Sequence, residues 1–183
     1  MDLTNQFLIA MPSLQDPNFH RTVTYLCAHN EEGAMGIVIN RPLDLKLGEV
    51  LDHMSIEIAN DRVNNMPVLQ GGPVQRERGF VIHEPAGEWD AVLPVGNAIG
   101  VATSRDILTA VAQGDGPSRA LVALGYAGWG AGQLEREVQQ NAWLSGPADS
   151  SIIFDLPYEQ RYESAARLLG VDLERLSGEA GHA

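Results

Sequence analysis

Two apolar runs separated by a four-residue turn constrain this chain more than any other stretch. Thr22–His29, TVTYLCAH, alternates, so Val23, Tyr25, Cys27 and His29 share one side of an extended chain. Asn30-Glu31-Glu32-Gly33 is a turn signal, and Ala34–Asn40, AMGIVIN, is a second strand. The loop length suits a hairpin, although the register is open. Gly33 and Gly36 read as backbone devices, one for positive φ and the other for close packing. Pro42 ends the second strand and biases Arg41 toward extended geometry.

The remaining signals are short and mixed. Asn5–Met11, Met66–Leu69, Gly79–His83, Ala91–Pro94, Asn97–Val101, Arg119–Tyr126 and Ser151–Phe154 read as strands. Leu47, Val50, Leu51 and Met54 recur at helical spacing. A second helix begins near Thr103–Asp106, buries Ile107, Leu108, Val111 and Ala112, and stops at Gly114. Ala131–Gln140 and a segment from Asp155 or Pro157 to Leu169 complete the helices. There is no regular βαβ cadence and no G-x-G-x-x-G after the first strand, which argues against a dinucleotide fold. The expected class is α+β, a single compact domain with a mixed or largely antiparallel sheet and flanking helices. A hydrophobic fraction of 44% over 183 residues supports one substantial core. The domain is expected over 1–170, followed by a tail, 171–183, that loses periodicity and has the character of a mobile end.

Charge excludes some partners. Twelve basic against 24 acidic residues give −12, and Lys46 is the only lysine. Such a field repels phosphate backbones and anionic membranes, so direct nucleic-acid binding is disfavoured and no membrane partner is expected. Asp2 stands where a signal peptide would carry positive charge, and no apolar run is long enough for a spanning helix. A cytoplasmic location is the expectation. Cys27 is the only cysteine and reads as a small buried hydrophobe. His20, His29, His53, His83 and His182 form no metal-binding motif; they read as surface or strand-end residues. His29 and His83 could in principle meet at a metal, but no metal and no cofactor is expected.

Three polar or glycine-rich blocks are candidates for function. Asn40-Arg41 is either a structured turn with a surface arginine or an anion fork. Gly71-Gly72-Pro73 is either a tight turn or a pair of exposed amides facing an anion. LGYAGWGAGQLEREV, Leu124–Val138, carries Gly125, Gly128, Gly130 and Gly132 beside Tyr126, Trp129, Gln133 and Glu135. Its glycines permit close backbone approach, while its aromatics suit either core packing or a pocket wall. No Lys, Ser or Thr occupies a P-loop position. Glu135 and Glu137, two apart, do not share a helix face and make a poor acid/base pair. Ser104 reads as helix-start chemistry, since no G-x-S-x-G elbow surrounds it.

Taken together, FLIAMP at Phe7–Pro12, Phe19, Tyr25-Leu26, His29, GAMGIVINRP at Gly33–Pro42, Gly71–Val74, Gly79–Val81 and His83 resemble the YqgE/AlgH family. Leu124–Trp129, Gly132–Glu135, Glu137, Asn141, Trp143 and Asp155 extend the resemblance over nearly the whole chain. The resemblance implies a compact α+β fold and a regulatory role linked to alginate production in pseudomonads; many members carry a transcriptional-regulator label. It implies no catalytic residues. Two functions follow as expectations. One is a regulatory or binding protein acting through a protein or small-ligand contact, with Asn40, Arg41, Gly71, Gly72, Tyr126, Trp129, Gln133 and Glu135 as candidate contacts. The other is an enzyme whose cleft joins Asn40, Arg41, Tyr126, Gln133 and Glu135, which is the less favoured. Direct DNA binding is a weaker third.

Overall fold

A computed structural model describes residues 1–173 and 175. Its strands are β1 (Gln6–Ala10), β2 (Val23–Asn30), β3 (Gly33–Val38), β4 (Pro42–Lys46), β5 (Pro67–Gln70), β6 (Val74–Glu84), β7 (Val92–Val95), β8 (Ile99–Ala102), β9 (Arg119–Gly130) and β10 (Trp143–Pro147). Six helices intervene among the described residues: α1 (Leu47–His53), α2 (Asp61–Asn64), α3 (Arg105–Gln113), α4 (Gln133–Gln139), α5 (Ser150–Phe154) and α6 (Tyr158–Leu168). The main path runs β10-β1-β2-β3-β9-β6-β8-β7 and is antiparallel throughout. The β4–β5 pair joins β9 through the one parallel pairing among the described strands, that of β5 with β9. The expected α+β class with a largely antiparallel sheet is the observed one.

β9 holds the molecule together because it belongs to two sheets. Its first half, Arg119–Leu124, pairs with β6 from Glu84 to Gly79, and Ala123-Leu124 pair with β5. Its last part, Ala127–Gly130, pairs with β3 from Gly36 to Gly33. Gly125 sits between the halves at φ +79°, a backbone that side-chain-bearing residues rarely adopt. A β-carbon there would also stand 2.5 Å from the Gly72 carbonyl oxygen.

Period-two alternation divides the apolar residues of β6 and β9 between two cores. Phe80, Ile82, Leu121 and Ala123 join Phe7, Tyr25, Ile37, Trp129 and Trp143 in the larger one, which α5 and α6 cover with Ile153 and Tyr162. Val81 and Val122 point the other way, to Leu47, Leu51, Val68 and Ile107, beneath α1, α2 and α3.

Several expectations need correction. Ser151–Phe154 is not a strand but lies in α5, started by the Asp149 carboxylate, which accepts the Ser151 and Ile152 amides. A short apolar run cannot tell a buried strand from a buried helical turn. Trp143–Pro147 gave no strand signal, yet it forms edge strand β10, with Phe7 opposite Gly146. Pro42 opens β4 rather than closing β3, which ends at Val38; a first strand position tolerates a residue without an N–H. The hairpin itself is as expected, with a bulge between Leu26 and Ala28. Val171 and Leu173 pack against the larger core, so packing extends past residue 170; most of the expected tail lies outside the described residues.

Candidate functional site

The glycine-rich blocks meet where the two sheets cross. The Gly71 N–H donates to the Leu124 carbonyl at 2.8 Å, and the Gly71 carbonyl accepts from the Val38 N–H at 2.8 Å. A β-carbon on Gly71 would stand 2.3 Å from the Gly125 oxygen, and one on Gly72 would stand 2.2 Å from the Tyr126 oxygen. The pair lets β3, β5 and β9 approach as bare backbone, and the Gly71 amide is not available to an anion. Gly33 and Gly36 play the parts read from sequence: Gly33 has φ +143°, and a β-carbon on Gly36 would meet the Thr24 methyl at 2.6 Å.

Asn40 and Arg41 turn inward. The Asn40 amide oxygen accepts from the Val23 N–H at 2.9 Å, and its nitrogen donates to the Arg21 carbonyl at 2.9 Å. Arg41 donates through Nη1 to the carbonyls of Pro17 and Asn18, and through Nη2 to that of His20. It therefore points neither to solvent nor directly at the glycine block; it clamps the 16–20 loop. Partial burial lowers its pKa from the ordinary value, with nearby Asp16 opposing that shift. The loop in turn carries Phe19, which stacks on Trp129 at 6.0 Å and meets Trp143 edge-on at 5.5 Å.

α4 supplies the acids beneath this aromatic cluster. Glu137 Oε1 accepts from both indole N–H groups, Trp129 at 3.0 Å and Trp143 at 2.9 Å, while Oε2 accepts from the Gln133 amide at 2.9 Å. The Gln133 oxygen accepts from the Gly130 N–H at 3.0 Å, closing the turn into the helix. Glu135 faces elsewhere, to His29 Nε2 at 2.9 Å. His29 Nδ1 accepts the Leu3 N–H at 3.0 Å, so Nε2 carries the proton given to Glu135. That hydrogen bond holds the Glu135 carboxyl below its ordinary pKa. Although a histidine and a glutamate at this distance have the composition of a general-base pair, both imidazole nitrogens are committed and none is left to take a substrate proton.

His29 and His83 lie next to the last residues of β2 and β6, as the strand-end reading expects. His29 and His83 are both buried, and His83 lies between the carbonyls of Val81 and Ala86, apart from His29 and its partners. Among the described residues no three metal-ligating side chains converge. Cys27 is buried, and burial pushes its thiol up to about 12. That is the wrong direction for a nucleophile. Trp129 is core, while Tyr126 is half-buried against the Phe80 edge at 5.7 Å. The cavity that Tyr126 lines with Met35, Val74 and Trp129 includes none of Asn40, Arg41, Gln133 or Glu135, so the enzyme cleft expected from those residues does not assemble there.

An open groove of about 900 Å³ lies on the other face. Val81, Val122 and Leu124 form its floor, with Val50 of α1 and Met54, just past its end, on one wall and Leu108 of α3 on the other. Arg76, Glu77, Glu49, His53 and Arg105 form its polar rim. Arg76 reaches it from an excursion in β6. Val74 pairs with Tyr126 and Gly79 with Leu124, so Gln75–Arg78 stand against Gly125 alone, and Gln75 takes φ +47°. Arg105 Nη2 donates to the Met54 carbonyl at 2.8 Å, tying α3 to the end of α1 beside His53. Sequence reasoning missed this site. Its linear trace is the charged run Arg76-Glu77-Arg78 just before the Gly79–His83 strand signal.

Fold and geometry define an α+β protein of two sheets that share one glycine-kinked strand. The chain belongs to the AlgH-like family, whose model matches residues 7–174. A protein of Nitrosococcus oceani designated UPF0301 is 59% identical over 179 residues, covering 98% of this chain and 96% of its own length. A counterpart in Thioalkalivibrio sulfidiphilus is 60% identical over 182 residues, covering 100% and 97%. The solution structure of AlgH from Pseudomonas aeruginosa matches with a TM-score of 0.82 at 50% identity, over 100% of this chain and 97% of that one. A crystal structure from Corynebacterium diphtheriae, 19% identical, shares the fold over 96% of this chain and 91% of its own with a TM-score of 0.77. Among the described residues no helix is long and apolar enough to cross a membrane.

Proposed function

We propose that this protein is a cytoplasmic regulatory or binding protein that acts by holding a small ligand, or a segment of a protein partner, without chemically changing it. One observation carries the reading. The polar side chains of the motif-rich crossing are consumed by internal hydrogen bonds, whereas the α1–α3 groove is concave and apolar with Arg76 at its rim. An apolar cavity with a few polar groups at its mouth is the ordinary form of a ligand site. A link to alginate regulation comes to this chain only from family likeness. With −12 on the chain, regulation through a ligand or protein contact fits better than direct reading of DNA.

The test is native mass spectrometry on protein purified without refolding, alongside a pull-down analysed by mass spectrometry. A retained small molecule, or a partner lost on substituting Val50 and Leu108 by Asp, is the expected result. The absence of both a retained molecule and a groove-dependent partner overturns the reading.

A further inference from the structure

We infer that the groove takes a single-headed aliphatic anion: a medium-length alkyl chain ending in a carboxylate or phosphate. The inference rests on the binding reading above and names its ligand class.

The floor and walls supply the apolar half. Val50, Met54, Val81, Leu108, Val122 and Leu124 present aliphatic or thioether surface, and the Phe80 ring at the margin is engaged with Tyr126 and Arg78, so the lining suits a flexible alkyl chain better than a planar ring stacked between aromatics. A cavity of about 900 Å³ has room for such a chain. Its openness toward solvent leaves the polar end of the ligand at the rim.

The rim supplies the other half. The Arg76 side chain makes no hydrogen bond, ion pair or ring contact with any described residue, although acids outnumber bases two to one in this chain. Arg105 spends Nη2 on the Met54 carbonyl and keeps its remaining N–H groups, beside His53. Arg78, on the same excursion, is already occupied by the Phe80 ring and Gln75. Of the two acids at the rim, Glu49 is committed to the Lys46 N–H that begins α1, leaving Glu77. Arg76 and Arg105 therefore balance both acids on a chain whose overall charge is −12. The rim is thus locally balanced on an acidic chain, and a guanidinium fork matches carboxylate and phosphate oxygens. The β6 excursion that places Arg76 there holds Gln75 in a left-handed backbone, a conformation a mere strand connection would avoid.

The experiment is 15N-NMR titration of the full chain with decanoate and decyl phosphate below their micelle concentrations and 1-decanol below its solubility limit, following the amides of Gly79, Thr103 and Arg105. Decanoate or decyl phosphate should shift these amides saturably, and decanol should bind about tenfold more weakly. Arg76→Ala with Arg105→Ala should abolish that preference while amide shifts remote from the groove stay unchanged, which shows the fold intact. Equal binding of decanoate, decyl phosphate and decanol, or a preference that survives the double substitution, overturns the anionic headgroup but leaves the binding reading standing. No saturable shift with any of the three probes overturns the aliphatic class. The binding reading itself falls only if the native purification also yields neither ligand nor groove-dependent partner.

Discussion

The crossing of the two sheets and the α1–α3 groove are opposites. The crossing holds the densest motifs, yet Gly71, Asn40, Arg41, Gln133 and Glu137 direct their hydrogen-bonding groups into the chain itself. The groove draws a few residues each from β6, β9, α1 and α3, and its rim arginines, Arg76 and Arg105, are exposed. A block of glycines, aromatics and acids can mark a difficult piece of architecture as readily as a site. Substitutions should therefore separate the regions: stability is lost at the crossing, and ligand contact at the groove.

The largest effect is expected for Gly72→Ala. Its β-carbon would fall 2.1 Å from the Tyr126 carbonyl carbon, and backbone cannot yield as a side-chain tip can. We expect a loss of at least about 3 kcal/mol or failure to fold. Near-native stability in urea denaturation would break the architectural account of that glycine pair. Glu137→Ala removes the acceptor shared by two buried indoles and one amide, and should cost about 3 kcal/mol with a change in near-ultraviolet circular dichroism.

Arg41→Ala should cost about 2 kcal/mol and speed hydrogen exchange in the 16–20 loop, with Arg41→Lys restoring little because lysine lacks the fork. Glu135→Gln tests a pH effect. The folded pKa of Glu135 lies below its ordinary value of 4.5, so its contribution is complete above that pH and is lost as acid protonates the folded carboxylate. The substitution should lower stability at neutral pH, converge on the parent in acid, and so flatten the acid limb of the stability–pH curve. Arg76→Ala should have the smallest effect on unfolding, within about 0.5 kcal/mol of the parent. A large loss would show that Arg76 belongs to the architecture and erase the contrast.

Legibility in the sequence follows the range of the interactions. The β2–β3 hairpin was readable because period-two patterning and a turn signal are local. The helical face of α3 was readable for the same reason. β10 was not, because Trp143–Pro147 becomes a strand only by pairing with β1, far away in the chain. α5 was misread because two adjacent isoleucines carry no period. At the candidate site, glycine spacing suggested close backbone approach, and Gly33, Gly36, Gly71 and Gly72 show it. No local pattern could show that Arg41 faces carbonyls of the 17–20 loop, or that His29 and Glu135, separated by 106 positions, form a pair. The groove was least visible, since β6, β9, α1 and α3 each contribute only a few lining residues.

The shared strand bears on how the molecule comes apart. Two cores on separate sheets would ordinarily permit independent melting. Here the residues that leave one core on Leu121 and Ala123 enter the other on Val122, within a single stretch of backbone. Loosening either side removes the pairing template for its neighbour, so heat should release both in one cooperative transition, with matching calorimetric and van't Hoff enthalpies.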